Sequence, residues 1–141
     1  MRNLQWEKSL YEHQHAMTKH LDKFRKRNKN IELSVDEIMV IQHSFQLLVA
    51  SMLDLAQYVL KHHYQTETTS RKDVLKALIQ HKDVTYEQAE QMKHLISLRD
   101  QILYDYLEEH FASLEEAMAL RRYSLVEMLT KEWTNRLSSA A

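Results

Sequence analysis

The chain has 141 residues, a net charge of −1, and no cysteine, glycine or proline. This length predicts a single domain, and the missing cysteine excludes a disulfide framework or thiol chemistry. Glycine supplies the positive φ angles of tight hairpin turns, so its absence argues against a β-sheet and a glycine-rich phosphate loop. We predict an all-α domain over residues 1–141, with 138–141 frayed. We expect it in the cytoplasm, because charges at Arg2, Glu7 and Lys8 leave no apolar signal core.

The spacing of apolar residues predicts five helices, four long and one short, in an up-and-down bundle. Their expected starts are near Trp6, Ser34, Ser70, Thr85 and Ser113. Three of these starts carry capping-box patterns, at Ser34, Thr85 and Ser113. The first helix is expected to end near Asn28, the second near Tyr64 and the fourth near Glu109.

The second predicted helix is the most apolar segment of the chain. Its seam alternates by three and four residues, which is typical of a buried helix face. The seam residues are Ile38, Ile41, Phe45, Leu48, Met52, Leu55 and Val59. Further apolar residues, Val40, Leu47 and Val49, lie on other faces. We therefore expect this helix at the centre of the bundle or shared with a partner.

A basic run, Lys23 to Lys29, closes the first predicted helix. Cations there complement the helix dipole, which favours a solvated helix end. Clustered cations also bind phosphates, so contact with an RNA backbone is the alternative.

The nine histidines do not predict a metal site. Two ligands on one helix face need a spacing of three or four residues, and no two histidines have it. We expect neither a metal nor a cofactor.

Arg99 stands on an apolar face of the fourth predicted helix, with Leu95, Ile96, Ile102 and Leu103 around it. Tyr106 falls within roughly 20° of Arg99 on a helix of 100° per residue. A guanidinium stays charged, and its burial without a partner is costly. Arg99 therefore requires a carboxylate, a second subunit or an anionic ligand.

The segment Ser97–Tyr106 resembles the signature of HEPN-domain proteins of the HepT type, in which an arginine is followed after four residues by a histidine and then, after one more, a tyrosine. Arg99 matches the arginine and Tyr106 the tyrosine, but Tyr104 replaces the histidine. The stretches Ser51–Tyr58, Ser70–Leu75 and Thr85–Ala89 are also similar to that family. The resemblance covers roughly residues 1–135.

The resemblance implies a HEPN-like bundle that acts as a toxin in a toxin–antitoxin pair. Two protomers of such a homodimer form a composite, metal-independent endoribonuclease site. By residue-level match it assigns catalysis to Arg99, Tyr104 and Tyr106. Independently of the resemblance, Asp100 and Asp105 flank the motif as candidate bases, and Asp54 is a further candidate in support. The resemblance also implies an MntA-type nucleotidyltransferase antitoxin, which would silence the toxin by attaching AMP to Tyr106.

The replacement at Tyr104 leaves two interpretations open. An ordinary phenol has a pKa near 10 and is a weak base at neutral pH, so the chain is either a ribonuclease with a modified site or a non-catalytic dimer that binds a nucleotidyltransferase. An unrelated helical bundle is the remaining alternative.

Asp54 interrupts the apolar surroundings of the second predicted helix. A carboxylate in such surroundings usually has a cationic partner, and Arg99 is the candidate that we favour. Simple exposure of Asp54 on a polar edge is the alternative.

Overall fold

The computed structural model of the chain describes residues 2–27, 30–103 and 111–139. Within these ranges the chain forms six helices and no strand. They are α1 (Leu4–Arg25), α2 (Val35–His62), α3 (Arg71–Gln80), α4 (Tyr86–Leu103), α5 (Phe111–Ala119) and α6 (Ser124–Ser139). The predicted all-α fold is confirmed for the described residues, whereas the predicted number of five helices is wrong.

Helix α2 forms the centre of the bundle and packs against α1, α3, α4 and α6. Its predicted seam is confirmed: from Ile41 to Val59 every seam residue is fully buried, and Ile38 is half-buried. By length and composition alone α2 could also span a membrane, a test that the core helix of a soluble protein passes as well. Half of its apolar window is buried inside the bundle.

The start of α2 keeps apolar side chains at the surface. Val35 is 61% exposed, Met39 59% and Val40 45%. We call these three residues the α2 apolar patch. The described part of the bundle leaves these three side chains at the surface.

Two of the three predicted capping boxes are confirmed. At Ser34 the hydroxyl accepts the Glu37 backbone N–H at 3.1 Å, and the Glu37 carboxylate accepts the Ser34 N–H at 2.9 Å. Thr85 and Gln88 make the same reciprocal pair at 3.0 and 2.9 Å. Ser70 caps α3 by accepting the Asp73 N–H at 3.1 Å, as its predicted position requires.

The third predicted capping box is wrong, because Ser113 already lies inside α5. The single last helix expected there is two helices, which a turn at residues 120–123 separates. At this turn Arg121 has a φ of 50°. Its guanidinium donates to both carboxylate oxygens of Asp22 at 2.9 Å, and the hydroxyl of the buried Tyr123 also donates to Asp22.

Helix α1 ends at Arg25 rather than near Asn28. Two arginines of the basic run then form ion pairs: Arg25 with Asp22 at 3.4 Å, and Arg27 with Glu115 of α5 at 2.5 Å. These pairs favour the structural interpretation of the run over RNA contact.

A buried carboxylate ties α6 to the turn between α3 and α4. The Asp83 side chain is fully buried. It accepts hydrogen bonds from the indole of Trp133 at 2.6 Å and the hydroxyl of Tyr64 at 2.6 Å. The Arg136 guanidinium lies 2.8 Å from it. The buried charge is therefore paired and hydrogen-bonded, as an apolar interior requires.

Candidate active site

Arg99 lies on the wall of an open cleft where α2, α4 and the start of α3 meet. The cleft has a volume of about 270 Å³, and its polar lining includes Asp54, Gln57, Ser70 and Arg71. The neighbours of Arg99 on α4, Leu95, Ile96 and Ile102, are buried and fix the helix against the core. Arg99 itself keeps 25% of its side chain exposed. The cleft therefore presents a guanidinium on a helix that is anchored in the core.

The hydrogen-bonding capacity of Arg99 is largely unused by the described part of the chain. Its Nη1 donates to Asp100 at a long 3.4 Å. Its Nε is buried and has no hydrogen-bond partner there. A guanidinium carries five N–H donors in a planar fork that fits carboxylates and phosphates. Among the described residues only Asp100 engages this guanidinium, so an anion entering the cleft would find N–H donors left over.

Asp54 faces the same cleft from α2. Desolvation by neighbouring atoms raises the pKa of the Asp54 carboxyl, although its surface remains exposed, and the charge of Arg99 acts in the opposite direction. Among the described residues, Arg99 forms its ion pair within 4 Å with Asp100. We favoured a direct ion pair between Arg99 and Asp54, but the two charges interact across the cleft instead. Asp54 is exposed, which agrees with the alternative prediction of a position on a polar edge.

Asp100 is held by two arginines. Arg71 of α3 donates from Nη1 to both carboxylate oxygens of Asp100, at 2.8 and 3.1 Å, and Arg99 reaches one of these oxygens. Both oxygens of this carboxylate are thus engaged by arginine N–H groups. The geometry therefore supports a positioning role for Asp100, between the two guanidinium groups, rather than that of a base.

Sequence reasoning missed Arg71 as a member of the site. One signal was available, because a cation in the first turn of a helix opposes the helix dipole. Such a residue needs an anionic partner, but the sequence does not say that Asp100, 29 residues away, provides it. The structure brings Asp54, Arg71, Arg99 and Asp100 together.

Tyr104, Asp105 and Tyr106 lie outside the described residues. Their assigned roles stay predictions that rest on the sequence and on the resemblance. The last described residue of α4, Leu103, is 46% exposed.

A larger groove, of about 750 Å³, runs between α4 and α6. Arg121 lines it, but its guanidinium is occupied by Asp22 and by Glu127 at 2.8 Å. In the ranges that the structure describes, no cluster of three or more His, Asp or Glu side chains is placed to hold a metal ion. The larger groove therefore offers no reactive constellation comparable to the Arg99 cleft.

Comparisons of the chain with protein-family models, with curated proteins and with solved structures find no match.

Proposed function

We propose that the chain is a HepT-type HEPN protein that binds and cleaves RNA at the Arg99 cleft, as the toxin of a toxin–antitoxin pair in the cytoplasm. The observation that carries the proposal is the guanidinium of Arg99, held on a helix that is anchored in the core, with a buried Nε that no described residue engages. A phosphodiester is the RNA group that this fork fits.

Arg99 would stabilise the charge that develops on the scissile phosphate. Tyr106, the tyrosine of the motif, would donate a hydrogen bond to a phosphate oxygen. Tyr104 would orient the substrate. Proton transfer from the attacking 2′-hydroxyl needs a base near neutral pKa. Asp54 is the candidate base because its carboxylate faces the cleft, and desolvation, which raises the pKa of its carboxyl, makes it a stronger base than a solvated aspartate. Asp105, within the motif, is the second candidate.

The proposed site is completed by a second copy of the chain. The α2 apolar patch and the exposed Leu103 at the described end of α4 support a homodimer that includes the C-terminal half of the motif helix. Light scattering at micromolar concentration should then give about twice the chain mass of 16.9 kDa. A monomeric mass would count against the composite site.

A second candidate is a dimer that docks an MntA-type nucleotidyltransferase and does not cleave RNA. The observation that favours it is Tyr104 at the position of the family's histidine. General acid–base catalysis contributes about 10²–10⁴-fold to rate, so its loss would spare binding to RNA and to the nucleotidyltransferase.

An RNA cleavage assay in the presence of a chelator separates the two candidates. For the ribonuclease, Arg99→Ala should lower the cleavage rate about 10²–10³-fold, as expected for the loss of a transition-state donor. The matched control is Arg122→Ala, which removes an exposed arginine outside the cleft. Equal rates for both variants would contradict the proposed site. A wild-type protein that binds RNA without cleaving it would favour the second candidate.

A further inference from the structure

A second groove adjoins the Arg99 cleft on the far side of Arg71. This α3–α4 groove has a volume of about 620 Å³ and lies between the first turns of α3 and the middle of α4. Arg71 lines both cavities. Asp100 lines the groove, while Arg99, which bonds to Asp100, lines the cleft. The two spaces are thus joined by one cluster of three charged side chains.

Three cations surround the α3–α4 groove: Arg71, Lys72 and Lys93. The carboxylate in its wall, Asp100, is already neutralised by Arg71 and Arg99. Lys93 forms a surface pair with Glu90 at 3.1 Å, with both side chains more than half exposed. Such an exposed pair contributes little to stability, so Lys93 can exchange Glu90 for another anion.

The position of Lys72 indicates a role other than helix stability. A lysine in the first turn of α3 faces the positive end of the helix dipole, which disfavours it. The neighbouring acid, Asp73, accepts a hydrogen bond from the hydroxyl of Thr69 at 2.9 Å, and Lys72 forms no ion pair within 4 Å with any described residue. An exposed, uncompensated cation next to a helix N-terminus favours a bound anion.

We propose that the α3–α4 groove binds the sugar-phosphate backbone of the RNA strand next to the scissile phosphate, and that it does so without reading bases. The inference rests on the proposed function and names the path by which the substrate leaves the Arg99 cleft. Lys72 and Lys93 contact successive phosphates, while Arg71 keeps Asp100 from repelling them. Among the described residues that line the groove there is no aromatic side chain on which a base could stack, so the contribution of these residues is electrostatic.

The test measures how RNA binding depends on salt. The protein is the double variant Lys72→Gln/Lys93→Gln, and the probe is a short fluorescein-labelled single-stranded RNA with 2′-O-methyl groups, which cannot be cleaved through its 2′-hydroxyls. Anisotropy titrations run from about 50 to about 200 mM salt, the range in which phosphate contacts dominate affinity. The matched control is Lys8→Gln/Lys131→Gln, which removes two exposed lysines from α1 and α6.

Each phosphate contact contributes about 0.7 to the slope of log Kd against log salt for single strands. The groove variant should therefore lose about 1.4 from this slope, equally for oligouridine and oligoadenine, while the control keeps the wild-type slope. If both variants keep that slope while Arg99→Ala weakens binding, the groove is not the RNA path and the proposed function stands. If the wild type fails to bind either RNA, the groove inference and the proposed function fall together.

Discussion

The carboxylate of Asp22 joins α1 to the turn between α5 and α6, and Asp22→Asn tests how much that junction contributes to stability. Asp22 accepts two hydrogen bonds from Arg121 at 2.9 Å, one from Tyr123 and a longer one from Arg25 at 3.4 Å. Hydrogen bonds to charged groups contribute about 1.5–3 kcal/mol each. Since these bonds share one carboxylate, their contributions do not add.

We expect Asp22→Asn to lower the free energy of unfolding by about 2–4 kcal/mol at pH 7. That loss is a large part of the roughly 5–15 kcal/mol that holds a domain folded. It corresponds to a melting temperature about 6–12 °C lower for a chain of this size. Chemical denaturation followed by circular dichroism measures the difference.

The difference in unfolding free energy between wild type and Asp22→Asn should depend on pH. Arg121 holds the pKa of the Asp22 carboxyl well below its usual range. A depressed carboxyl pKa stabilises the fold fully above the unfolded pKa of about 3.9, and this stabilisation is lost as the pH falls toward the folded pKa. The gap between wild type and variant should stay constant from pH 7 to about 5. Below about pH 4 it should shrink by roughly 1.4 kcal/mol per pH unit.

The matched control is Asp36→Asn, which neutralises an exposed acid in the first turn of α2. Loss of its interaction with the helix dipole is worth about 0.3–1 kcal/mol. The reasoning would be refuted if Asp22→Asn cost no more than this control. It would also be refuted if the gap stayed constant down to about pH 3.

Two further predictions follow from the buried Asp83 and from the motif tyrosines. Asp83→Ala should lower the free energy of unfolding by about 3–5 kcal/mol, because it leaves Arg136 and the Trp133 indole without the carboxylate. A variant whose melting temperature lies within a degree of wild type would contradict this. Tyr106→Phe should abolish AMP transfer by a cognate nucleotidyltransferase, whereas Tyr104→Phe should not. Mass spectrometry that finds AMP on Tyr104 alone would show that the acceptor is wrongly assigned.

Local sequence signals predicted the parts of the fold that local chemistry determines. The capping boxes at Ser34 and Thr85 act within four residues, so their hydrogen bonds follow from the sequence. The break before α6 does not follow from it, because no glycine or proline marks the turn. Arg121 adopts a positive φ there and binds Asp22, which is 99 residues away in the chain. Such a contact exists only in the folded bundle.

In the candidate site, too, some features follow from the local sequence and others depend on how the helices pack. The apolar arc around Arg99 is periodic and therefore visible in the sequence, and it placed Arg99 beside the core. The ion pair of Arg99 is made with its neighbour Asp100 on α4, and Arg71, which also binds Asp100, comes from α3. Sequence reasoning therefore favoured Asp54 and overlooked Arg71. The actual arrangement depends on how the start of α3 packs beside α4, where Arg71 reaches Asp100.

The most direct test of the proposed ribonuclease site is RNA cleavage by Tyr104→His, alone and combined with Arg99→Ala. The single variant restores a side chain with a pKa near 6.5 at the position where the resemblance expects the proton shuttle. If the Arg99 cleft is that site, the cleavage rate should rise about 10²–10⁴-fold, and Arg99→Ala should remove the gain. A Tyr104→His protein that is folded, dimeric and no more active than wild type would contradict the proposed site, as would a gain that survives Arg99→Ala.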